Sequence, residues 1–199
     1  NGGSIQSISR VAGRTSGGSG FYFGGYFDGN QSSGDWAYVG VRDGGTNYKI
    51  LGGGSVSTIV KDENNNNRVL FCPESPEITF TDSGSGKLIN GKAIIEIDPI
   101  LAKNIFVDET HPLKVFIQLE GDCNGVYVTN KSANGFTVIE LKNGKSNVSF
   151  SWQLIATRAD DKNNNGEITS KHVDVRFPLG PSKMEYQEAK VTKSSSSTK

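Results

Sequence analysis

The sequence predicts an all-β protein: an antiparallel meander that forms a sandwich or barrel-like domain, preceded by a strand-and-turn segment rich in glycine and aromatic residues. Three observations predict this fold. Apolar and polar residues alternate over 147–156, β-rich runs recur between turn signals, and 16 of the 25 glycines lie in the first 60 residues. Composition thereby divides the 199-residue chain into three zones, at residues 1–60, 61–158 and 159–199.

The first zone combines glycine with aromatic residues, most densely in the run Gly20–Gly29. A helix is excluded there because each interior glycine costs about 1 kcal/mol relative to alanine. Glycine–aromatic alternation is typical of short strands and tight turns whose backbones approach closely. Because the zone has few aliphatic residues for a core, we expect it to be ordered by packing against other copies of the chain or against the second zone.

Aromatic residues of the first zone are the candidate functional residues, and they have two interpretations. An assembly seam between subunits would use Phe21, Phe23, Tyr26, Phe27 and Trp36. A sugar-stacking surface would use Trp36, Tyr38 and Tyr48. Aromatic residues spaced among glycines more often pack a seam, so assembly is the preferred interpretation and carbohydrate binding is the alternative. Accessibility distinguishes them, because a seam is shielded and a sugar platform stays open.

The second zone is patterned as strands. Its clearest strand alternates apolar with polar residues, and the apolar ones are Val148, Phe150, Trp152, Leu154 and Ala156. This is the pattern of a strand with one buried face, so we expect Phe150 and Trp152 to lie in the domain core. Two further runs, at residues 92–97 and 114–119, have the composition and length of strands.

Asn-Gly pairs separate the β-rich runs of the second zone, at residues 90–91, 124–125, 134–135 and 143–144. Both residue types tolerate positive φ, as a type I′ hairpin turn demands. The pairs therefore predict an antiparallel meander of about six or seven strands. One short helix is expected at residues 99–103, with Asp98 as its N-cap and proline at the first helical position.

The third zone loses the apolar period and predicts a polar loop, one further strand at His172–Phe177 and a flexible Ser/Lys tail. The loop matches the opening of a calcium-binding loop at Asp161, Asn163, Asn165 and Gly166, of which the first three would supply side-chain oxygens. Such a loop needs a bidentate glutamate at its twelfth position, which is His172 here. A solvated hairpin loop is therefore the preferred interpretation, and no metal site is predicted.

The two cysteines, Cys72 and Cys123, fit either one disulfide or two buried free thiols. Neither lies in a CxxC pair, so zinc and dithiol redox sites are not expected. A hydrolase would need a nucleophile such as Cys123, with Asp122 and His111 as neighbours, but the acidic surroundings of Cys123 disfavour a thiolate. No catalytic motif accompanies the two histidines, and we expect neither enzyme activity nor a cofactor.

Charge and hydropathy exclude two classes of partner. The chain has 21 Lys+Arg and 21 Asp+Glu residues, whereas an electrostatic nucleic-acid binder needs a concentrated basic face. No run of about 18 apolar residues is present, so no membrane insertion is predicted. The sequence begins Asn1-Gly2-Gly3 without the features of a signal peptide, and we expect a processed chain or the end of a longer one.

A series of motifs runs through residues 40–160: Arg68–Glu77, Gly86–Ala93, Ile97–Pro99, Lys114–Ile117, Gly121–Lys131, Gly135–Phe136 and Lys145–Phe150. In this order they resemble a tail-fibre-like β-domain found near the C-terminus of large, repeat-bearing bacterial surface or secreted proteins. The resemblance implies an extracellular or cell-surface location, or a virion appendage, and a structural or adhesive role. It implies no catalytic residue.

The sequence therefore predicts a non-enzymatic extracellular protein, as a building block or terminal domain of a bacterial surface fibre, filament or phage-tail-like appendage. The expected partner is the chain itself, as a homo-oligomer that is a trimer or a filament, because shared sheets leave no free strand edge. Surface glycans are the partner under the carbohydrate-binding alternative.

Overall fold

A computed structural model of the chain describes residues 21–28 and 36–183. Over these residues the fold is all-β and antiparallel, as predicted. The strands are β1 (Gly25–Asp28), β2 (Trp36–Asp43), β3 (Thr46–Gly52), β4 (Ser57–Lys61), β5 (Asn67–Phe71), β6 (Thr79–Lys87), β7 (Lys92–Glu96), β8 (Ile105–Phe106), β9 (Lys114–Leu119), β10 (Val126–Ser132), β11 (Gly135–Glu140), β12 (Ser149–Arg158), β13 (Asp161–Lys162) and β14 (Ile168–Ser170). The helix α1 (Pro99–Asn104) precedes β8, and a short 3₁₀ turn (Leu141–Asn143) follows β11. The predicted Ser/Lys tail lies outside the described residues.

Contacts divide the described chain into two compact units that differ from the zones of composition. Among the described residues, the first unit holds 21–28, 36–43, 48–72 and 179–183. The second unit holds Gly44–Asn47 and Pro73–Pro178. The glycine-rich segment ends at Gly54. The hairpin of β4 and β5 nevertheless belongs to the first unit, so the predicted zone boundary near residue 60 falls within that hairpin.

The first unit contains a three-stranded sheet in the order β1-β2-β3 and a separate hairpin of β4 and β5. Tyr26 of β1 lies opposite Tyr38 of β2, with their ring centroids 4.8 Å apart. Phe23 and Val41 are buried beside them. The cluster is covered by Phe21, Trp36, Tyr48 and Leu51. Aromatic rings thus supply the core for which this zone has few aliphatic residues.

The second unit contains two larger antiparallel sheets. One has the order β10-β11-β7. In the other, β12 lies between β6 on one edge and, on its other edge, β8 and β9 one after the other. The chain does not follow a simple meander, because it changes sheet four times: between β6 and β7, between β7 and β8, between β9 and β10, and between β11 and β12. The sandwich or barrel form stays a prediction.

The core of the second unit takes side chains from both of these sheets. Phe150 and Leu154 of β12 have no exposed surface, and Phe136 and Val138 of β11 join them from the other sheet. Trp152 is partly buried, and its ring contacts that of Phe136 edge-on, with centroids 5.7 Å apart. The prediction that the alternate apolar residues of β12 form its buried face is therefore confirmed.

Glycines in β6 make room for the large rings of β12. Gly84 lies opposite Trp152, and a Cβ added to this glycine would lie 2.6 Å from Trp152 Cζ2. Gly86 has the same relation to Phe150, whose ring a Cβ would also meet. Because side chains of directly paired residues lie on the same face of a sheet, the rings of Trp152 and Phe150 fit where β6 has glycine.

The Asn-Gly pairs have more than one role. One pair forms the predicted type I′ turn, with φ of 51° at Asn90 and 78° at Gly91. Gly135 of another pair is already the first residue of β11. The pairs at residues 124–125 and 143–144 lie where the chain passes from one sheet to the other. These segments are loops between sheets rather than hairpin turns.

The helix α1 follows the predicted cap. It begins at Pro99, and the Asp98 carboxylate accepts a hydrogen bond from the Ile100 backbone N–H at 2.7 Å. A carboxylate acceptor and a proline at the first position satisfy or remove backbone donors that a helix start leaves without partners. In the described ranges, no helix is long and apolar enough to cross a membrane.

The last strand lies earlier than predicted. β14 at Ile168–Ser170 pairs with β13, whereas the segment 172–177 turns. Asp174 and Phe177 have φ of 61° and 46°, which breaks the extended backbone that a strand needs. The prediction of a strand at His172–Phe177 is therefore wrong.

A buried carboxylate joins two of the loops between the sheets. Glu140, at the end of β11, is 3% exposed, and it accepts hydrogen bonds from the backbone N–H groups of Asn124 and Ser146 at 3.0 and 2.8 Å. The Asn124 side chain donates a further bond at 3.1 Å. The hydrogen bond from Ser146 is the main cause that lowers the pKa of Glu140, and the one from Asn124 adds to it. One side chain thus fixes the loop after β9 and the loop before β12.

Glu140→Gln is expected to destabilise the protein at neutral pH, because an amide nitrogen would replace an accepting oxygen opposite a backbone N–H. The pKa is lower in the folded than in the unfolded chain, so the carboxylate stabilises the fold above the ordinary glutamate pKa of about 4.3. That stabilisation is lost as the pH falls through the folded value. Denaturant unfolding at several pH values measures the difference between wild type and variant.

Glu96→Gln is the matched control, since Glu96 is an exposed carboxylate of β7 in the same unit. It should leave the unfolding midpoint unchanged at every pH. If Glu140→Gln and wild type have the same midpoint at neutral pH, Glu140 does not hold the two loops.

Candidate functional site

The β4–β5 hairpin exposes its apolar side chains. Every residue of both strands is exposed, and the apolar ones are Ile59, Val60, Val69, Leu70 and Phe71. The strands pair in a continuous antiparallel register from Ser57 opposite Phe71 to Lys61 opposite Asn67. An isolated two-stranded hairpin is marginally stable in water unless a hydrophobic face is covered. The hairpin is therefore the candidate contact surface of the first unit.

Apolar side chains emerge on both faces of this hairpin. Directly paired residues share a face, which places Ile59, Val69 and Phe71 together. They are 65%, 51% and 70% exposed. The opposite face carries Val56, Val60 and Leu70, which are also exposed. Contiguous exposed apolar surface of this kind is typical of protein interaction sites.

The loop of the hairpin is held by one carboxylate. Asp62 accepts hydrogen bonds from the backbone N–H groups of Asn64 and Asn66 at 3.0 and 2.8 Å, and from Arg68 Nε at 2.8 Å. The hydrogen bond from the Asn66 backbone is the main cause that lowers the pKa of Asp62. Because turn geometry sets register, the loop keeps the apolar residues of the two strands in fixed positions.

The strand edges of the hairpin are also available for pairing. Backbone hydrogen bonds run from Cys72 N to Val56 O and from Asp62 N to Asn66 O. These bonds show which residues direct their N–H and C=O groups towards the other strand of the hairpin. By the alternation of an antiparallel ladder, the backbone groups of Ile59 point to the outer edge. Among the described residues, no further strand pairs with β4 or β5. Such edges are templates for pairing with another chain.

The five aromatic residues predicted for an assembly seam lie in or next to the core of the first unit. Phe23 and Tyr26 are buried, and Phe21 and Trp36 are partly buried in the same cluster. Phe27 points away and is 54% exposed. A role of these residues between copies stays a prediction, and Phe27 has the surface that a second copy could cover.

The three residues predicted for sugar stacking do not form an open platform. Tyr38 is 3% exposed, its ring lies 4.9 Å from that of Phe23, and its hydroxyl donates to the Ser182 carbonyl at 2.9 Å. Burial raises the pKa of Tyr38. Trp36 and Tyr48 are partly buried against the same cluster. Sugar binding by these residues stays a prediction that the burial of Tyr38 does not favour.

The two cysteines are free thiols in this structure. The alternative of one disulfide is therefore not formed, and the two free thiols differ from the other alternative because neither is buried: Cys72 is exposed and Cys123 is half-buried. Cys72 directly follows β5, and its N–H donates to the Val56 carbonyl at 2.9 Å. This thiol marks one end of the hairpin.

The loop predicted as a weak calcium candidate uses its oxygens for its own hydrogen bonds. Both carboxylate oxygens of Asp161 lie 3.1 Å from Arg158 Nη2. Asn163 Oδ1 accepts the N–H groups of Asn165 and Glu167 at 2.9 and 3.0 Å. Within the part of the chain that the structure describes, no group of three or more His, Cys, Asp or Glu side chains could hold a metal ion.

The residues considered for a hydrolase are placed on different loops. Asp122 and Cys123 lie between β9 and β10, whereas His111 lies between β8 and β9. The His111 ring nitrogens contact carboxylates of Asp108 and Asp174. Both ring nitrogens of His111 are thus engaged by carboxylates other than Asp122.

No protein-family model, curated protein or solved structure matches the chain. The resemblance to a tail-fibre-like domain accordingly rests on the motifs in the sequence.

The hairpin is a candidate contact surface that the sequence analysis did not predict. The signal was present, since β-branched and apolar residues at 57–60 and 68–71 flank a loop rich in asparagine. A zone boundary at residue 60 cut through this pattern. Exposure of the strands could not be predicted from this sequence pattern, because another part of the chain could have covered either face of the hairpin.

Tyr38→Ala is expected to lower the free energy of unfolding of the first unit by about 3 kcal/mol, because it removes a ring from the centre of a buried cluster. Tyr38→Phe keeps the ring and removes the bond to Ser182, so it should cost about 1 kcal/mol. Fluorescence of Trp36 during denaturant unfolding, in a Trp152→Phe background, measures both. Equal effects of the two variants, or no effect of either, would show that the ring of Tyr38 is not part of the core.

Proposed function

We propose that the protein is a non-enzymatic, extracellular structural or adhesive protein whose copies associate through the β4–β5 hairpin. In this proposal it is a building block or terminal domain of a bacterial surface fibre, filament or phage-tail-like appendage. The observation that carries the proposal is the exposure of apolar side chains on both faces of the hairpin. The fibre setting comes from the motif resemblance.

The magnitudes favour contacts on more than one surface of the hairpin. Burying one side chain such as Ile59, Val69 or Phe71 contributes about 1.5–3 kcal/mol. Association costs about 4–15 kcal/mol in lost translational and rotational freedom, and the ordering of side chains at the interface adds to this cost. The three apolar side chains of one face contribute about 4.5–9 kcal/mol, which lies within this range, whereas the six side chains of both faces contribute about 9–18 kcal/mol. An assembly that uses both faces is therefore more stable than a dimer that uses one.

The partner proposed is a second copy of the chain, because the hairpin edge is complementary to itself. If β4 pairs antiparallel with β4 of another copy, Ile59 lies opposite Ile59 and Ser57 lies opposite Lys61. No like charges meet in that register, and Arg68 is already paired with Asp62 at 2.8 Å. Antiparallel pairing of identical strands is isologous, and further contacts through the faces extend it to larger assemblies.

Two other functions receive less support. Carbohydrate binding by the aromatic residues of the first unit would need an open ring, whereas Tyr38 is buried. Nucleic-acid binding would need a basic face, whereas the chain has equal numbers of basic and acidic residues. Self-association needs apolar surface and open strand edges, and the hairpin has both.

The full chain is expected to associate as its concentration rises, and the double variant Ile59→Thr with Val69→Thr is expected to stay monomeric. Threonine keeps the preference for a strand while it removes apolar surface from one face. Molar mass from static light scattering over a concentration series measures both proteins, and circular dichroism verifies that the variant keeps its strands.

Ile94→Thr is the matched control, because Ile94 is 67% exposed on a strand of the other unit. It should associate like wild type. A wild-type chain that stays monomeric throughout the series would contradict the proposal, and so would a double variant that associates as strongly as wild type.

A further inference from the structure

A cleft of about 520 Å³ opens beside β12 in the second unit. It arises where strand pairing is interrupted. On one edge of β12, β9 pairs as far as Ile155 and β8 pairs from Thr157, so within the described chain Ala156 has no strand partner there. The loop 107–113 leaves the sheet at this gap and returns at the first residue of β9. The topology of the sheet therefore creates the cleft.

Both histidines of the chain line this cleft. The His111 ring is held from two sides, with Nδ1 3.0 Å from Asp108 Oδ1 and Nε2 3.1 Å from Asp174 Oδ1. His172 is 2% exposed, and its Nδ1 donates to the Ala159 carbonyl at 2.8 Å. These contacts tie the loop between β8 and β9 to the segment after β14. The two walls of the cleft are thus fixed in place.

One wall is further ordered by Asp108. Its Oδ1 accepts the backbone N–H groups of Thr110 and His111 at 2.9 and 2.6 Å and the Thr110 hydroxyl at 2.9 Å. Burial raises the pKa of Asp108, but these hydrogen bonds outweigh it and lower the pKa below the ordinary value. The loop is therefore preorganised, which reduces the ordering that a ligand would require.

The charges that line the cleft are balanced. Its cationic residues are Lys114 and Arg176, and its carboxylates are Glu77 and Asp174. Arg176 is hydrogen-bonded to Glu77, and Lys114 Nζ lies 3.8 Å from the second oxygen of the same carboxylate. A ligand with a net charge of either sign would have to separate these pairs. A neutral ligand that both donates and accepts hydrogen bonds could join them.

Hydroxyl groups have this double capacity. The cleft is also lined by Thr79, Thr110 and Thr157, and by apolar residues that include Ile155 and Val175. Carboxylates accept bonds from ligand hydroxyls, while ammonium and guanidinium groups donate to their oxygens. The volume lies within the range of about 300–1,000 Å³ for small-molecule sites. We infer that this cleft binds a neutral saccharide.

This site goes beyond the proposed function and does not rest on it. The cleft lies in the second unit, whereas the hairpin lies in the first. Saccharide binding would give an adhesive surface protein a chemical target through residues that differ from the aromatic residues of the first unit. Either proposal can fail without the other.

The experiment is a nuclear magnetic resonance titration of the full chain with glucose, galactose, mannose, N-acetylglucosamine and their β-1,4-linked disaccharides. At least one of these neutral saccharides is expected to shift the ring signals of His111 and His172. Asp174→Asn should lower the affinity for that saccharide about tenfold or more, because it replaces a charged acceptor at the mouth of the cleft. Asparagine tolerates the φ of 61° at this position, so the backbone is expected to be kept.

Asp122→Asn is the matched control, since Asp122 is an exposed carboxylate of the same unit that does not line the cleft. It should bind the saccharide like wild type. No shift with any member of the panel would overturn the inference, as would equal affinity of wild type and Asp174→Asn. Light scattering on the same samples reports self-association, so a failure of the saccharide site is distinguishable from a failure of the hairpin proposal.

Discussion

Pairing of β12 along both of its edges is the interaction on which the second unit depends. β6 follows it from Ser149 to Thr157 on one edge, and β9 and β8 share the other. This pairing positions alternate residues of β12 against the other sheet, where Phe150 and Leu154 are fully buried. Pairing along the edge that β9 and β8 share is interrupted beside Ala156, and the cleft opens there. Core and cleft are thus two consequences of one strand's pairing.

Much of the local structure could be predicted from neighbouring residues. The alternation along β12 indicated its buried face, and the capped helix start at Asp98 needed only residues 98–100. Pairing between sheets could not be predicted in this way, because an Asn-Gly pair indicates a turn but not the sheet to which the next strand belongs. Glu140 illustrates the limit. Its carboxylate binds Asn124, which is 16 residues away, and no local pattern marks it as buried.

The same limit applies to the candidate sites. Contact between His111 and Asp174 joins two loops that are far apart in the sequence, so the cleft has no motif. The β4–β5 hairpin had a recognisable pattern of strands, but its exposure depends on what the rest of the chain covers. The aromatic residues of the first unit differ from the hairpin in the opposite sense, because they are less exposed than predicted. Their spacing among glycines suggested surfaces for other molecules, and most of them pack together within the first unit.

The central claim is that copies of the chain meet at the β4–β5 hairpin. Cys72, at the end of β5, is exposed and offers a site for a nitroxide label once Cys123→Ser has removed the other thiol. Each copy then carries one label, so dipolar coupling measured by pulsed electron paramagnetic resonance reports only distances between copies. The account predicts a defined short distance that disappears when labelled chain is diluted with unlabelled chain. A signal with no coupling between labels, in a sample concentrated enough to associate, would contradict it.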